Sequence, residues 1–209
     1  MDDSEDYINN LLGSASLSLF SSTKEIQIEG IESYQMHTSY TNKSLNQFCD
    51  FILPKANPMI IKAKNNCYNK PHLFCVNTIK DQIDKTFDII EKNNCDNVGI
   101  LVPTKNDIEM VTTYAKERNI IIETSDTFNP FSNIPKLLTY HAARGIHFDE
   151  VIMPLLKEET QDLELICRTM KGCRYLLFLI CSVKKIPSWI SNIPKEFYFD
   201  GDSYEIEEL

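Results

Sequence analysis

The stretch Tyr175-Leu176-Leu177-Phe178-Leu179-Ile180-Cys181 is the longest uninterrupted apolar run in the chain. Its residues are apolar on both alternating faces, which is typical of a central strand in a parallel sheet that is covered on both sides. The run is far too short to cross a bilayer as a helix. It therefore predicts a buried strand in an α/β domain and no membrane span.

The segments upstream of this run alternate between two patterns. Short runs rich in β-branched or aromatic residues predict strands, and stretches with apolar residues at helical spacing predict helices. The predicted strands cover residues 73–76, 98–102, 120–122, 136–139 and 151–153. The predicted helices cover residues 42–53, follow caps at Thr78 and Asn106, and cover residues 161–170. This order predicts an α/β fold with a mainly parallel sheet flanked by helices.

The composition is that of a soluble protein with one domain as the default count. The chain has 209 residues, of which 43% are hydrophobic and 24% are charged. Four of its first six residues are acidic, whereas a secretory signal begins with positive charge, so we expect a cytoplasmic protein. The net charge of −9 repels phosphate on average. Any contact with nucleic acid must therefore be local or supported by a partner.

Seven cysteines are spread through the sequence without a C-x-x-C pair. An odd number with no such spacing favours reduced, mostly buried thiols over a disulfide framework or a zinc site. His147 with Asp149 suggests a metal or acid–base site and Asp149 with Glu150 a carboxylate pair, but the segment has the pattern of a strand entry, where Asp149 caps or hydrogen-bonds the neighbouring loop. There is also no G-x-S-x-G elbow around a nucleophile. The sequence thus predicts no metal site and no catalytic residue.

One segment carries a specific motif: Thr139-Tyr140-His141-Ala142-Ala143-Arg144-Gly145-Ile146-His147-Phe148-Asp149-Glu150-Val151. It resembles motif V of UvrD/Rep-like DNA helicases, written T-x-H-x-A-K-G-L-E-F-D-x-V. Arg144 and Ile146 are conservative replacements for the lysine and the leucine. His147 stands where the family has a glutamate that helps to hold the nucleotide.

Four further segments resemble parts of the same family in the same order, one of them only faintly. Residues 98–105 resemble the strand and turn I-A-I-L-V-R-T-N. Residues 39–53 resemble a helix that begins N-Y-R, with Thr41 replacing the arginine, and residues 165–172 resemble motif VI, Y-V-A-x-T-R-A, with Lys171 taken for its arginine. Residues 17–25 faintly resemble the motif III strand, with none of its polar residues kept.

The resemblance implies the second RecA-like domain of a superfamily 1 helicase over residues 31–199. Residues 1–30 would be the edge of a first motor lobe or an extension, and residues 200–209 an acidic tail. No G-x-x-x-x-G-K-[ST] loop occurs in the chain, so it offers no cradle for a triphosphate and its magnesium. We therefore expect no ATPase activity from the chain alone, and ATP with Mg²⁺ only in a composite site shared with a partner.

The resemblance also implies which residues face a ligand. Thr139 and His141 match positions that contact the phosphate backbone of single-stranded DNA, and Arg144 and Lys105 would add positive charge there. The alternatives are a histidine that orders the loop and cations that are merely solvated. Gly145 is expected to need a positive φ or a close backbone approach.

The positions that would touch a nucleotide are Gly145, His147 and Lys171. Lys171 would be a weakened arginine finger, because lysine lacks the planar fork of a guanidinium group. The alternative for Lys171 is a solvated lysine near a helix end, which the helix dipole favours.

Three hypotheses for the function remain open at this point. The first is a helicase-derived accessory or binding module in DNA processing or repair, which docks on an ATPase, a nuclease or a first helicase lobe. The second is one half of a split or truncated ATP-dependent DNA helicase that completes an ATP site with a partner lobe. The third is an unrelated α/β protein that binds a small molecule, which would make the motif V resemblance accidental.

Overall fold

The computed structural model describes residues 43–53, 70–93, 95–158 and 162–201. All of these residues belong to one compact unit that spans Tyr40–Leu209. Thr41, residues 17–25 and the tail after residue 201 lie outside the described residues. The predicted domain boundaries, after residue 30 and after residue 199, therefore stay a prediction.

A six-stranded sheet forms the centre of the described domain, and every pairing in it is parallel. Its strands are β1 (His72–Val76), β2 (Val98–Val102), β3 (Lys136–Thr139), β4 (Phe148–Met153), β5 (Cys173–Ser182) and β6 (Phe199–Asp200). They lie in the order β3-β2-β4-β5-β1-β6. The predicted α/β class with a parallel sheet flanked by helices is confirmed.

The apolar run that opened the sequence analysis forms most of β5, which lies between β4 and β1. Residues 177–181 are buried on both faces of the sheet. Leu177 and Leu179 pack into one core cluster, whereas Phe178 and Ile180 pack into another on the opposite face. The alternation of a strand thus distributes one continuous apolar run between two helical layers.

Helices cover both faces of this sheet. They are α1 (Lys43–Ile52), α2 (Ile79–Asn93), α3 (Lys105–Glu117), α4 (Leu163–Met170) and α5 (Ser188–Ser191), and a 3-10 turn follows at Lys195–Phe197. One core cluster includes residues of α1, α4 and α5. The clusters on the other face include residues of α2 and α3. Within the described part of the chain, none of these helices has the length and apolarity that a membrane span requires.

The predicted helix caps are half correct. Thr78 caps α2 as expected: its backbone N donates to Asp81 Oδ2 at 2.9 Å, and its Oγ1 accepts from Asp81 N at 3.1 Å. The cap predicted at Asn106 is wrong, because Thr104 caps α3 and the helix begins at Lys105. Thr104 is selected because Asp107, three residues later, completes a reciprocal capping box with it.

The strand predicted at residues 120–122 is also wrong. The chain leaves α3 through Asn119, whose φ of 57° turns it sharply away from the helix. Ile121 is then 73% exposed, so this apolar run does not enter the sheet. The sheet-type pairing in this region is a single bridge between Glu123 and Lys136.

Candidate nucleic-acid interface at the carboxyl edge of the sheet

Three connections meet at one edge of the sheet because all strands run in the same direction. The neighbouring strands β3, β2 and β4 end there at Thr139, Val102 and Met153. Thr139 lies directly opposite Val102 in the strand register, and Tyr140 N donates to Val102 O at 3.1 Å. Ligands of open parallel sheets bind in the crevice at this edge.

The connection from β2 to α3 presents a rigid helix start at this edge. Thr104 N and Thr104 Oγ1 both donate to Asp107 Oδ2, at 3.0 Å and 2.6 Å. Lys105, the first helical residue, is exposed. The capping box thus fixes the backbone while the lysine side chain faces solvent.

The connection from β3 to β4 begins with a compact set of turns. Thr139 Oγ1 accepts from Ala142 N at 3.2 Å, and Thr139 O accepts from Ala143 N at 3.0 Å. Tyr140 and Ala143 are buried, whereas His141 and Arg144 are exposed. The turn therefore anchors two side chains in the core and presents a histidine and an arginine to solvent.

Gly145 follows with a φ of 77°, a conformation that L side chains rarely adopt. A Cβ atom at this position would meet nothing within 4 Å. The glycine is therefore required by its backbone conformation and not by crowding, and the expectation of a positive φ is confirmed.

Tyr140 ties the motif V segment to the start of α3 through the core. Its side chain is 2% exposed, and its hydroxyl has no hydrogen-bond partner among the described residues. Burial, with a smaller contribution from the charge of Asp107, raises the pKa of this hydroxyl. The tyrosine is therefore a neutral anchor beneath the exposed turn.

The connection after β4 adds a cation to which no sequence motif points. Leu155 has a φ of 61°, and its N donates to the buried side chain of Gln82 at 2.9 Å. Lys157 follows, with its Nζ 3.6 Å from Asp107 Oδ1. The Lys157 side chain thus lies next to the first turn of α3, which also carries Lys105.

Arg144 differs from the other arginines of the protein in its charge partners. The chain has four arginines, and three are paired with carboxylates: Arg118 with Asp88, Arg168 with Glu164 and Arg174 with Asp149. Arg144 forms no ion pair within the described residues, and neither do His141 and Lys105. The positive charge of this turn is therefore not neutralised by the domain itself.

Two of the three predicted nucleotide-contacting residues, His147 and Lys171, lie elsewhere. His147 precedes β4 and Lys171 precedes β5, so both lie at the amino ends of these strands. The two segments touch there, since Phe148 N donates to Gly172 O at 3.1 Å. The structure therefore brings Thr139, His141 and Lys105 to one edge and His147 and Lys171 to the opposite one, with Arg144 and Gly145 on the connection that runs between the two edges.

Lys171 also borders a cleft between α1 and α4 with a volume of about 350 Å³. The cleft includes the acidic side chains of Asp50 and Glu164 besides its cations, which makes it a poor phosphate site. A strict count from Leu165 moreover places Met170, not Lys171, at the arginine position of motif VI. Met170 is completely buried.

No cluster of three or more metal-ligating side chains occurs in the described ranges. Asp149, which lies near His147 in sequence, instead accepts a hydrogen bond from Arg174 at 3.2 Å. This contact gives Asp149 a structural role at the amino ends of β4 and β5.

The sheet order and the two helical layers define the RecA-like fold of helicase C-terminal domains. The structure is similar to the C-terminal domain of a possible DNA helicase from Lactobacillus plantarum WCFS1, with a TM-score of 0.59 and 14% identity over 78% of this chain and 99% of that one. At this identity the likeness shows the fold alone.

Two structures of Dbp5 are more distant. The C-terminal domain of this DEAD-box protein has a TM-score of 0.41 and 14% identity over 62% of this chain and 82% of that one. Dbp5 from S. cerevisiae bound to Gle1 and IP6 has a TM-score of 0.44 and 16% identity over 74% and 44%. No family model and no curated protein matches the sequence.

Proposed function

We propose that this chain is a helicase-derived accessory domain that binds the backbone of single-stranded DNA and does not hydrolyse ATP on its own. The observation that carries the proposal is the exposed turn after β3, where Arg144 has no acidic partner among the described residues and His141 lies beside it in sequence. A guanidinium and an imidazole hydrogen-bond phosphate without reading the base sequence.

The surrounding residues support a shallow phosphate-binding edge. Thr139 contributes a hydroxyl whose oxygen already accepts a backbone hydrogen bond but whose proton remains a donor. Lys105 adds positive charge at the neighbouring strand end, whereas the charge of Lys157 is balanced in part by Asp107. Few contacts and a net charge of −9 make the binding weak and sensitive to salt.

The proposal of no autonomous ATPase rests on missing chemistry. The chain has no G-x-x-x-x-G-K-[ST] loop, and neither arginine position of the resembled motifs holds an arginine. A partner that supplies an intact phosphate-binding lobe would be needed to place a triphosphate against this domain. Such a lobe, an ATPase or a nuclease is the class of protein partner that we propose.

The binding experiment measures the fluorescence anisotropy of a short labelled oligo-dT at low salt. We expect a Kd on the order of 10–100 µM, which is the range of non-specific backbone binding, and a steep weakening as salt is raised. Arg144→Ala should weaken binding roughly tenfold, because it removes a charge-assisted hydrogen bond. His141→Ala should have a smaller effect in the same direction.

Arg168→Ala is the matched control, since it removes the same charge from an exposed arginine on α4. Equal weakening by Arg168→Ala and Arg144→Ala would show that net charge alone governs binding and would remove the assigned site. Absence of binding at low salt would reject the DNA-binding function itself.

A second assay measures phosphate release from ATP by the purified chain, where we expect no turnover. Turnover by the chain alone would overturn this part of the proposal. Turnover that appears only with a partner bearing an intact phosphate-binding loop would favour the split helicase over the accessory domain.

A further inference from the structure

Two cysteines meet where β1 and β5 approach their carboxyl ends. Cys75 and Cys181 are direct partners in the parallel register, and their Sγ atoms lie 3.6 Å apart. Neighbouring strands of a sheet are about 4.8 Å apart, which falls within the Cα separation of about 4.4–6.8 Å that disulfides require. A rotation of the two side chains is therefore enough to bring the sulfurs to bonding distance.

The two thiols differ in their access to solvent. Cys75 is exposed, whereas Cys181 is completely buried. The hydrogen bond to Cys75 and burial together raise the pKa of Cys181, which keeps this residue a thiol. An oxidant in solution can therefore react with Cys75 directly. Cys181 is accessible only to the sulfur of Cys75.

A second close pair of cysteines, Cys49 and Cys167, allows a comparison of solvent access. Cys49 Sγ donates to Cys167 O at 3.9 Å, and Cys167 Sγ donates to Cys49 O at 3.8 Å. Both residues are buried between α1 and α4. Because the two residues are only 1% and 4% exposed, although they line the cleft between α1 and α4, this pair is a less accessible control for reactivity.

We propose that Cys75 and Cys181 are a dithiol site that hydroperoxides oxidise to an intramolecular disulfide. The Cys75 thiolate attacks the peroxide, the O–O bond breaks, and Cys75 becomes a sulfenic acid while hydroxide or alkoxide leaves. The Cys181 sulfur then attacks that of Cys75, the S–O bond breaks, and water leaves with the Cys181 proton. Two thiols and one hydroperoxide yield one disulfide, one water and one alcohol or a second water.

The disulfide would join positions that are 106 residues apart in sequence. Cross-linking such a distant pair restricts the unfolded chain strongly, so the oxidised form should be the more stable one. The reduced thiols that the cysteine pattern predicts correspond to the unoxidised state of this site. The proposal does not depend on DNA binding or on ATP chemistry.

The experiment treats the full chain with a small excess of hydrogen peroxide and then blocks the remaining thiols in denaturant. Peptide mass spectrometry should find a disulfide between Cys75 and Cys181, and Cys49 and Cys167 should both be alkylated. The melting temperature should rise by roughly 5–10 °C on oxidation and return with dithiothreitol.

Two variants complete the test. Cys75→Ser should lose both the disulfide and the rise in melting temperature, whereas Cys95→Ser, at the far end of the sheet before β2, should keep both. A stable sulfinic acid on Cys75, a disulfide from Cys75 to another cysteine, or full alkylation of Cys181 after peroxide treatment would each overturn the proposal.

Discussion

The connections before and after β3 use their charged residues in opposite ways. In the first, Lys136 Nζ lies 3.4 Å from Glu123 Oε2, and both side chains are buried. Glu123 also accepts from Asn129 N at 2.8 Å and from Ser132 Oγ at 2.6 Å. In the second, the charged or titratable side chains of His141 and Arg144 are exposed without an ion pair among the described residues.

The difference separates charges that build the fold from charges that remain for a ligand. A buried charge is tolerated only with hydrogen bonds and a counter-charge, and the segment before β3 supplies both to Glu123 and Lys136. An exposed charge adds little to stability, so the segment after β3 is under no such constraint. The two segments flank one strand, yet a ligand is expected at only the second.

Removing Lys136, the lysine of the buried pair, should lower the stability of the fold more than any other change considered. Lys136→Ala leaves the Glu123 carboxylate buried without its cation and removes the donor to Ser132 O and Ile134 O. We expect the melting temperature to fall by roughly 10 °C, as for a broken buried ion pair. Differential scanning calorimetry would measure this.

Lys116→Ala is the control for that experiment, because Lys116 is an exposed lysine in the last turn of α3. It should change the melting temperature by about 1 °C or less. Similar losses in the two variants would show that the buried pair is not special.

Glu150 extends the comparison because it is a buried carboxylate that forms no ion pair with the described residues. Its side chain accepts from Asn93 Nδ2 at 3.1 Å through both oxygens. Burial raises the pKa of Glu150 to about 7, and the Asn93 amide offsets this only in part. By contrast, the hydrogen bonds from Ser132 and Asn129, aided by Lys136, lower the pKa of Glu123.

The raised pKa of Glu150 predicts a pH dependence of stability. Between about pH 4.5 and pH 7 the folded chain holds a proton that the unfolded chain releases, so the free energy of unfolding falls as pH rises through this window. Glu150→Gln should therefore be more stable than the native chain by roughly 2 kcal/mol at pH 8, and nearly equal to it at pH 5.

The measurement is the difference between the two urea unfolding curves at each pH. The difference is needed because burial lowers the pKa of His72 to about 4, which makes stability rise with pH over part of the same range. A gap between variant and native chain that does not change with pH would refute the buried, protonated state of Glu150.

Substitution of Gly145, in the connection after β3, gives the smallest predicted change in stability. Since its φ is positive and its surroundings are open, Gly145→Ala should lower the free energy of unfolding by about 1 kcal/mol through the backbone alone. Gly145→Asn should cost less, because asparagine tolerates this conformation. Equal losses in urea unfolding would show that φ is not what selects glycine.

The local parts of this structure could be predicted from sequence, because their causes lie within a few residues. The run at 175–181 predicted a strand that is buried over residues 177–181 although Tyr175 is exposed, and Thr78 predicted a helix start. The same reasoning failed at Asn106, where the capping box of Thr104 with Asp107 was overlooked. It also failed at residues 120–122, because a short apolar run does not reveal whether it enters a sheet.

The long-range parts could not be predicted from sequence. Nothing local places β2 between β3 and β4, and so nothing local shows that Lys157 approaches Asp107 at the candidate interface. The opposite locations of His141 and His147 also follow only from the path of the chain across the sheet. The roles of these residues in binding stay predictions.

The two margins of the sheet have a consequence for the behaviour of the protein at high concentration. They are formed by β3, with four residues, and β6, with two. Open margins recruit strands from other molecules through their unpaired backbone groups, and short ones offer few such groups. Outside β3, Leu137 N is already bound to Glu123 O at 2.7 Å. The β3 margin thus gives other molecules little template for edge-to-edge aggregation.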